Sequence, residues 1–131
     1  AWAEFTAADS NEVQSVVTKA VGECDALYIP TDNTIANNTE IVKNVAVPAG
    51  IPVVTGEEGM CSGCGLATLS ISYYDLGVKA AEMAYEILTN GADPAQMAIG
   101  YVTDGITEKY NADIAEALDI TIPEDMVAIE N

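Results

Sequence analysis

The sequence predicts an α/β layer structure, an open and mostly parallel sheet flanked by helices. Three observations predict it. Strand-like runs alternate with helical periodicities along the chain. Ile51 to Thr55 is continuous and β-branched, as strands buried on both faces are. Gly22, Pro30, Pro48, Gly50 and Asn90-Gly91 fall at the junctions, where breakers and caps belong. The 131 residues suffice for one domain with its own core, and 50% of them are hydrophobic. No apolar run approaches the ~20 residues needed to cross a bilayer.

Ala3 to Ala7 reads as a short strand. Asp9 and Glu12 have capping-box spacing, and Val13, Val16, Val17 and Ala20 follow on one helical face. Asp25 to Ile29 is a second strand, closed by Pro30. Thr31-Asp32-Asn33-Thr34 is a polar turn, and one helix is expected from about Asn33 to Ala46, with Ile35, Thr39, Val42 and Ala46 on one face. Ile51 to Thr55 is a third strand. Gly56 to Gly65 reads as a glycine-rich loop, and Leu66 to Ser72 as a fourth strand. The best helix runs from about Tyr74 to Thr89, with Leu76, Ala80, Met83, Ala84, Ile87 and Leu88 on one face. Ala98 to Thr103 is a fifth strand. Asn111 caps a last helix through Leu118, and Ile120 to Val127 is an irregular tail containing Pro123. There is no repeat, low-complexity tract or linker.

The charge balance excludes several functions. Twenty-one Asp and Glu face four Lys, with no Arg and no His, for a net charge of −17. Such a surface repels phosphate backbones, so nucleic acid is not a partner. Without Arg there is no bidentate fork for phosphate or carboxylate. Without His, the Ser-His-Asp triad and the commonest zinc ligand are gone. No phosphate loop, dinucleotide fingerprint or Gly-x-Ser-x-Gly elbow appears, so no catalytic residue, metal or cofactor is assigned. The chain opens on Ala1-Trp2-Ala3 with no initiator Met or signal-like segment, and reads as a piece of a larger protein.

Ligands in parallel sheets bind beyond the carboxyl ends of the strands. Two such ends carry unusual polar loops: Thr31, Asp32, Asn33 and Thr34, then Glu57, Glu58 and Gly59. If their strands are neighbours, these residues share one rim. Free N–H groups at the helix start near Asn33 suit a carboxylate, and the acids suit an ammonium. Together they suit a zwitterion such as a free amino acid. Against that stand plainer roles: Asp32 or Asn33 as a helix cap, Glu57 and Glu58 as solvated charges. Of Tyr73 and Tyr74, one packs in a core and the other can stack on a ligand. Cys61 and Cys64 form a Cys-x-x-Cys, a candidate disulfide set between two strands. With only Cys24 beside them and no His, a zinc site would need carboxylates or a second chain, and Cys24 reads as a small buried hydrophobe.

In order and spacing, Asp25 to Thr34, Ile51-Pro52-Val53 with Glu57-Glu58-Gly59, Leu66 to Leu69, Tyr73 to Gly77 and Ile120 to Glu124 resemble a known family. It is the solute-binding proteins of ABC importers, the tryptophan/tyrosine-type group with a type I periplasmic-binding fold. The resemblance runs along almost the whole chain and implies two α/β lobes joined by a hinge, with ligand in the cleft between them. This chain would supply the C-terminal part. Residues 1–72 and about 104–131 would belong to the second lobe. Residues 73 to about 103 would pack on the absent first lobe, which would carry the export signal and lipid anchor.

Without that host, the apolar face of the long helix implies self-association or a swapped arrangement. Carried over, Thr31, Asp32, Asn33 and Thr34 touch the ligand's polar end, and Glu57, Glu58 and Gly59 line the cleft wall. Tyr73 stands at the crossing. Two departures are Ser72, where the family often has an acid, and Cys61 and Cys64, where its loop is usually free of cysteine. The implied function is an extracytoplasmic amino-acid receptor that presents its closed form to a permease. The alternatives are a sensing lobe of the same fold in a regulator, or a Cys-x-x-Cys thiol oxidoreductase.

Overall fold

The computed structural model describes residues 1–103 and 105–130. The expected lobe boundary near residue 104 and the last residue, Asn131, lie outside them. The chain forms two compact units. One holds Ala1–Ser70 and the segment from Thr107 onward; the other is Ile71–Ile106.

The first unit contains α1 (Val13–Val21), β1 (Leu27–Ile29), α2 (Asn33–Ala36), α3 (Thr39–Ala46), β2 (Val53–Thr55), α4 (Glu58–Cys64) and β3 (Ala67–Ser70). The second unit is α5 (Tyr73–Asn90) and a 3-10 turn at Pro94–Gln96. The first unit then resumes with β4 (Thr107–Tyr110), α6 (Ala112–Ala117) and β5 (Val127–Ala128). The sheet has the order β1-β2-β3-β4-β5. β1, β2 and β3 run parallel, β4 is antiparallel to β3, and β5 is parallel to β4. This is the mostly parallel, helix-flanked sheet that the alternating pattern predicts.

Two apolar clusters hold the first unit together. Val13 and Val17 of α1, Val42 and Ala46 of α3, Val53 of β2 and Cys64 of α4 form one. Leu66 with Ile114 and Ala115 of α6 form the other. Each fully buried Val or Ile contributes roughly 1.5–3 kcal/mol. Only one face of the strands is dry. Val53 and Thr55 are buried while Val54 between them is exposed, as are Tyr28 on β1 and Leu69 on β3. The two-sided burial expected of Ile51 to Thr55 is therefore corrected to one side.

Four more expectations change. Residues 3–7 and 98–103 are not strands. A strand exists through its ladder, and neither segment has a ladder partner among the described residues. The helix expected over 33–46 is two helices. Asn38 Nδ2 donates to Thr34 O at 2.7 Å, a side-chain bond that competes with the helical ladder and ends α2. The glycine-rich loop is in fact helix α4. Glu57 caps it, accepting from Gly59 N and Met60 N. A methyl group at Gly63 would collide with the Thr39 side chain, so glycine there lets α4 lie against α3. Packing thus overrides the poor helix propensity of two internal glycines. Finally, residues 107–110 form a strand that the pattern leaves unassigned, and Val127–Ala128 of the irregular tail pairs with β4.

α5 follows its local signals closely. Ser72 Oγ accepts from Asp75 N at 3.1 Å, and Gly91 ends the helix at φ +70°, a left-handed position suited to glycine. No residue of α5 is buried.

Candidate functional site

β1 and β2 are neighbours in parallel register, Ile29 opposite Thr55. Their carboxyl ends therefore open at one edge of the sheet, and the loops behind them meet. Gly56 N donates to Ile29 O at 2.9 Å. A methyl group at Gly56 would lie 2.7 Å from Thr31 N and 2.8 Å from Thr31 Oγ1, so only glycine permits this approach. Thr31, Asp32, Asn33 and Thr34 thus share a rim with Glu57, Glu58 and Gly59. Tyr73 begins α5 in the other unit, with its side chain exposed.

The rim carboxylates have internal partners. Asp32 Oδ1 accepts from Ile35 N at 2.9 Å and caps α2. Both oxygens of Glu57 cap α4. The capping role is therefore real for Asp32 and extends to Glu57. The helix start near Asn33 is the four-residue α2, and Asp32 meets one of its N–H groups, that of Ile35. Glu58 Oε2 accepts from Lys109 Nζ at 2.7 Å and from Ser70 Oγ at 3.3 Å. What the rim keeps open is acceptor-rich: Asp32 Oδ2, Glu58 Oε1, and the exposed side chains of Thr31 and Asn33. Such a set suits an ammonium group better than an anion.

Beneath the rim lies a row of buried hydroxyls. Thr55 Oγ1 donates to Glu57 O at 3.2 Å and Thr68 Oγ1 to Thr55 O at 2.8 Å. Sequence reasoning missed Ser70 and Lys109. One signal was available for Lys109, as one of four cations in a strongly acidic chain. Asn111 was read as a cap, and it does accept from Ile114 N at 3.3 Å. Its second task has no signal in the sequence. Asn111 Nδ2 donates to Cys61 O at 3.2 Å and Ser62 O at 2.9 Å, meeting carbonyls at the end of α4.

Cys61 and Cys64 lie on α4 rather than in a loop, and they are free thiols, as is Cys24; the candidate disulfide is not formed. Burial pushes the Cys61 thiol up to about 11, against a lowering hydrogen bond to Thr55 and a small raising effect of Glu58 and Glu57. Burial, Cys61 and Glu57 push Cys64 up to about 12. Thiol redox chemistry needs a thiolate, which enzymes obtain by lowering this value. Here the shift has the opposite sign. Among the described residues, no group of three or more His, Cys, Asp or Glu could hold a metal ion. The second unit has an open groove of about 650 Å³ between α5 and residues 97–101, with Lys79, Glu82, Met83 and Tyr101 on its walls. None of the expected ligand residues lines it.

Comparison with known proteins gives this geometry a family. The pattern described as "ABC transporter substrate binding protein" matches residues 2–130. The chain belongs to that family. A relative described as a tyrosine-binding protein, from Clostridioides difficile (strain R20291), is 44% identical over 79 residues, which is 60% of this chain and 23% of the relative. The solved ABC domain in complex with L-Trp from Streptococcus pneumonia is 32% identical with a TM-score of 0.83, and covers 95% of this chain. A ligand-free, open substrate binding protein with adhesive properties from Clostridium difficile is 36% identical over 92% of this chain, with a TM-score of 0.69. The chain spans 43% and 41% of those two structures. No helix among the described residues is long and apolar enough to cross a membrane.

Proposed function

We propose that this chain is part of the extracytoplasmic solute receptor of an ABC importer, and that its ligand is a free amino acid, aromatic by preference. The observation that carries the proposal is the shared rim, where Asp32 and Glu58 each keep one carboxylate oxygen for an ammonium group beside Thr31 and Asn33. The tyrosine-binding relative and the L-Trp-bound neighbour support the aromatic preference. The ligand's carboxylate and side chain would be held by the first lobe, outside this chain, and ligand bridging both walls would stabilise the closed form that a permease engages. Membrane attachment through a lipid belongs to the same proposal.

In this reading Tyr73 to about Thr103 packs on that first lobe. Two features favour it: α5 buries nothing, and Tyr74, Tyr85, Leu88, Ile99 and Tyr101 are all more than half exposed. Residues 98–103 would gain there the strand partner that they lack here. By itself, the chain is expected to self-associate through this apolar surface. Sedimentation as a monomer at every concentration would count against that.

The direct test is calorimetric titration of the full-length protein that carries this chain. Tryptophan, tyrosine, phenylalanine and aliphatic amino acids are the titrants. Saturable binding of an aromatic member at micromolar strength or better is expected. Asp32→Asn keeps the cap on α2 but removes the charge, and should weaken binding by ~1–3 kcal/mol. Affinity unchanged in that variant would refute the site.

A further inference from the structure

One carboxylate oxygen ties three elements of the first unit together. Glu58 sits in the first turn of α4, at the rim. Its Oε2 accepts from Ser70 on β3 and from Lys109 on β4, 51 residues away in sequence. Ser70 is the last residue of β3 and pairs with Thr107, the first of β4. These are the points where the chain leaves for residues 71–106 and where it returns. Lys109 is therefore placed where the rim meets both connections to the other unit.

The other three lysines do different work. Lys19 lies over the Phe5 ring, Lys79 pairs with Glu82 on α5, and Lys43 lies in the last turn of α3. The Lys109 side chain is 26% exposed and that of Glu58 39%, so water screens their attraction only in part. Without a cation here, Glu58 would face Glu57 on an already acidic rim. It would have Ser70 as its one remaining partner and no reason to hold Oε1 in place.

We infer that Lys109 is a positioning residue for the amino-acid site: it holds Glu58 Oε2 against the strand ends that lead to residues 71–106, so that Oε1 faces the ligand in a fixed place. The inference rests on the amino-acid reading of the rim. It also couples that rim to the two connections. A change in their geometry moves Glu58, and a ligand held by Glu58 stabilises one geometry of the connections.

The test uses Lys109→Met and Lys109→Arg in the full-length protein, titrated with the amino acid that the wild type binds. Lys109→Met should weaken binding about threefold to tenfold, as loss of a partly screened charged partner does. Wild-type affinity should fall with salt more steeply than that of Lys109→Met, because only the wild type has the ion pair to screen. Lys109→Arg should return affinity to within about twofold of wild type, since it restores the charge. Equal affinity and equal salt slopes in wild type and Lys109→Met would overturn the inference. So would an equal loss in both variants, which would assign the effect to packing.

Hydrogen exchange in this chain separates the inference from the reading beneath it. Lys109→Met should speed exchange at the Ser70 and Thr107 ends of β3 and β4 at least about threefold, with β1 and β2 unchanged. If the wild type binds no amino acid, the amino-acid reading fails. The exchange result then decides whether Lys109 positions Glu58, and unchanged exchange overturns it.

Discussion

The seven-residue α4 buries three of its residues, while the eighteen-residue α5 buries none. By local rules the order should be reversed. α5 has a serine cap, long runs of good helix formers and a left-handed glycine stop. α4 has two glycines in seven residues and is too short to stand alone in water. What α4 has is tertiary support: Glu57 at its start, Asn111 on its last carbonyls, Thr39 against Gly63, and Met60, Cys61 and Cys64 inside the core. The comparison separates two ways of making a helix. One is written in adjacent residues and leaves its apolar face open. The other is imposed by neighbours distant in sequence.

The largest effect that sharpens this contrast is pH dependence. The unfolded chain gives up its thiol protons near the ordinary value of 9.0, whereas the folded chain holds those of Cys61 and Cys64 to about 11 and 12. Folded pKa values above the unfolded ones make stability complete below about pH 9 and reduce it as pH rises toward 11 to 12. The loss should be on the order of a few kcal/mol. Urea unfolding monitored across that range measures it. The Cys61→Ala, Cys64→Ala double variant should flatten the decline, and an equal decline in that variant would place its origin elsewhere. α5 contains no cysteine and should contribute nothing to the thiol effect.

A matched pair of substitutions comes next. Gly63→Ala raises helix propensity yet forces a methyl group onto Thr39, and should cost about 1–3 kcal/mol in urea unfolding. Gly77→Ala is the same change on α5, where a methyl group meets nothing within 4 Å. It should stabilise that helix by about 0.5–1 kcal/mol, read as higher helicity by circular dichroism. The same sign at both sites would break the comparison.

The candidate site was legible to the same degree as the helices. Asp32 and Glu57 stand just beyond two strands that their apolar runs mark, so their place at strand ends could be read from order, and the pairing of β1 with β2 put them on one rim. Their capping bonds are also local, to residues two or three positions on. Glu58 was visible as an acid, but its partners Ser70 and Lys109 lie 12 and 51 residues away. Nothing in the adjacent sequence points to either. The Cys-x-x-Cys pair was read as a loop because glycines surround it. Packing made it a helix, and burial pushed the pKa values of its thiols up.

The sequence by itself determined the α/β order, the mostly parallel character of the sheet, the glycine stop at Asn90-Gly91, the cap at Asn111, and the acidic field that repels polyanions. Each follows from residues within a few positions of one another, or from a sum over the whole chain. Tertiary structure alone decided which runs became strands, since residues 3–7 and 98–103 lack ladder partners among the described residues while 107–110 found one in β3. It decided that α4 is a helix, and that Lys109 rather than solvent faces Glu58. A strand needs a second strand, and a half-buried charge pair needs two distant elements brought to within 3 Å. Those are properties of the folded arrangement, to which local spacing is blind.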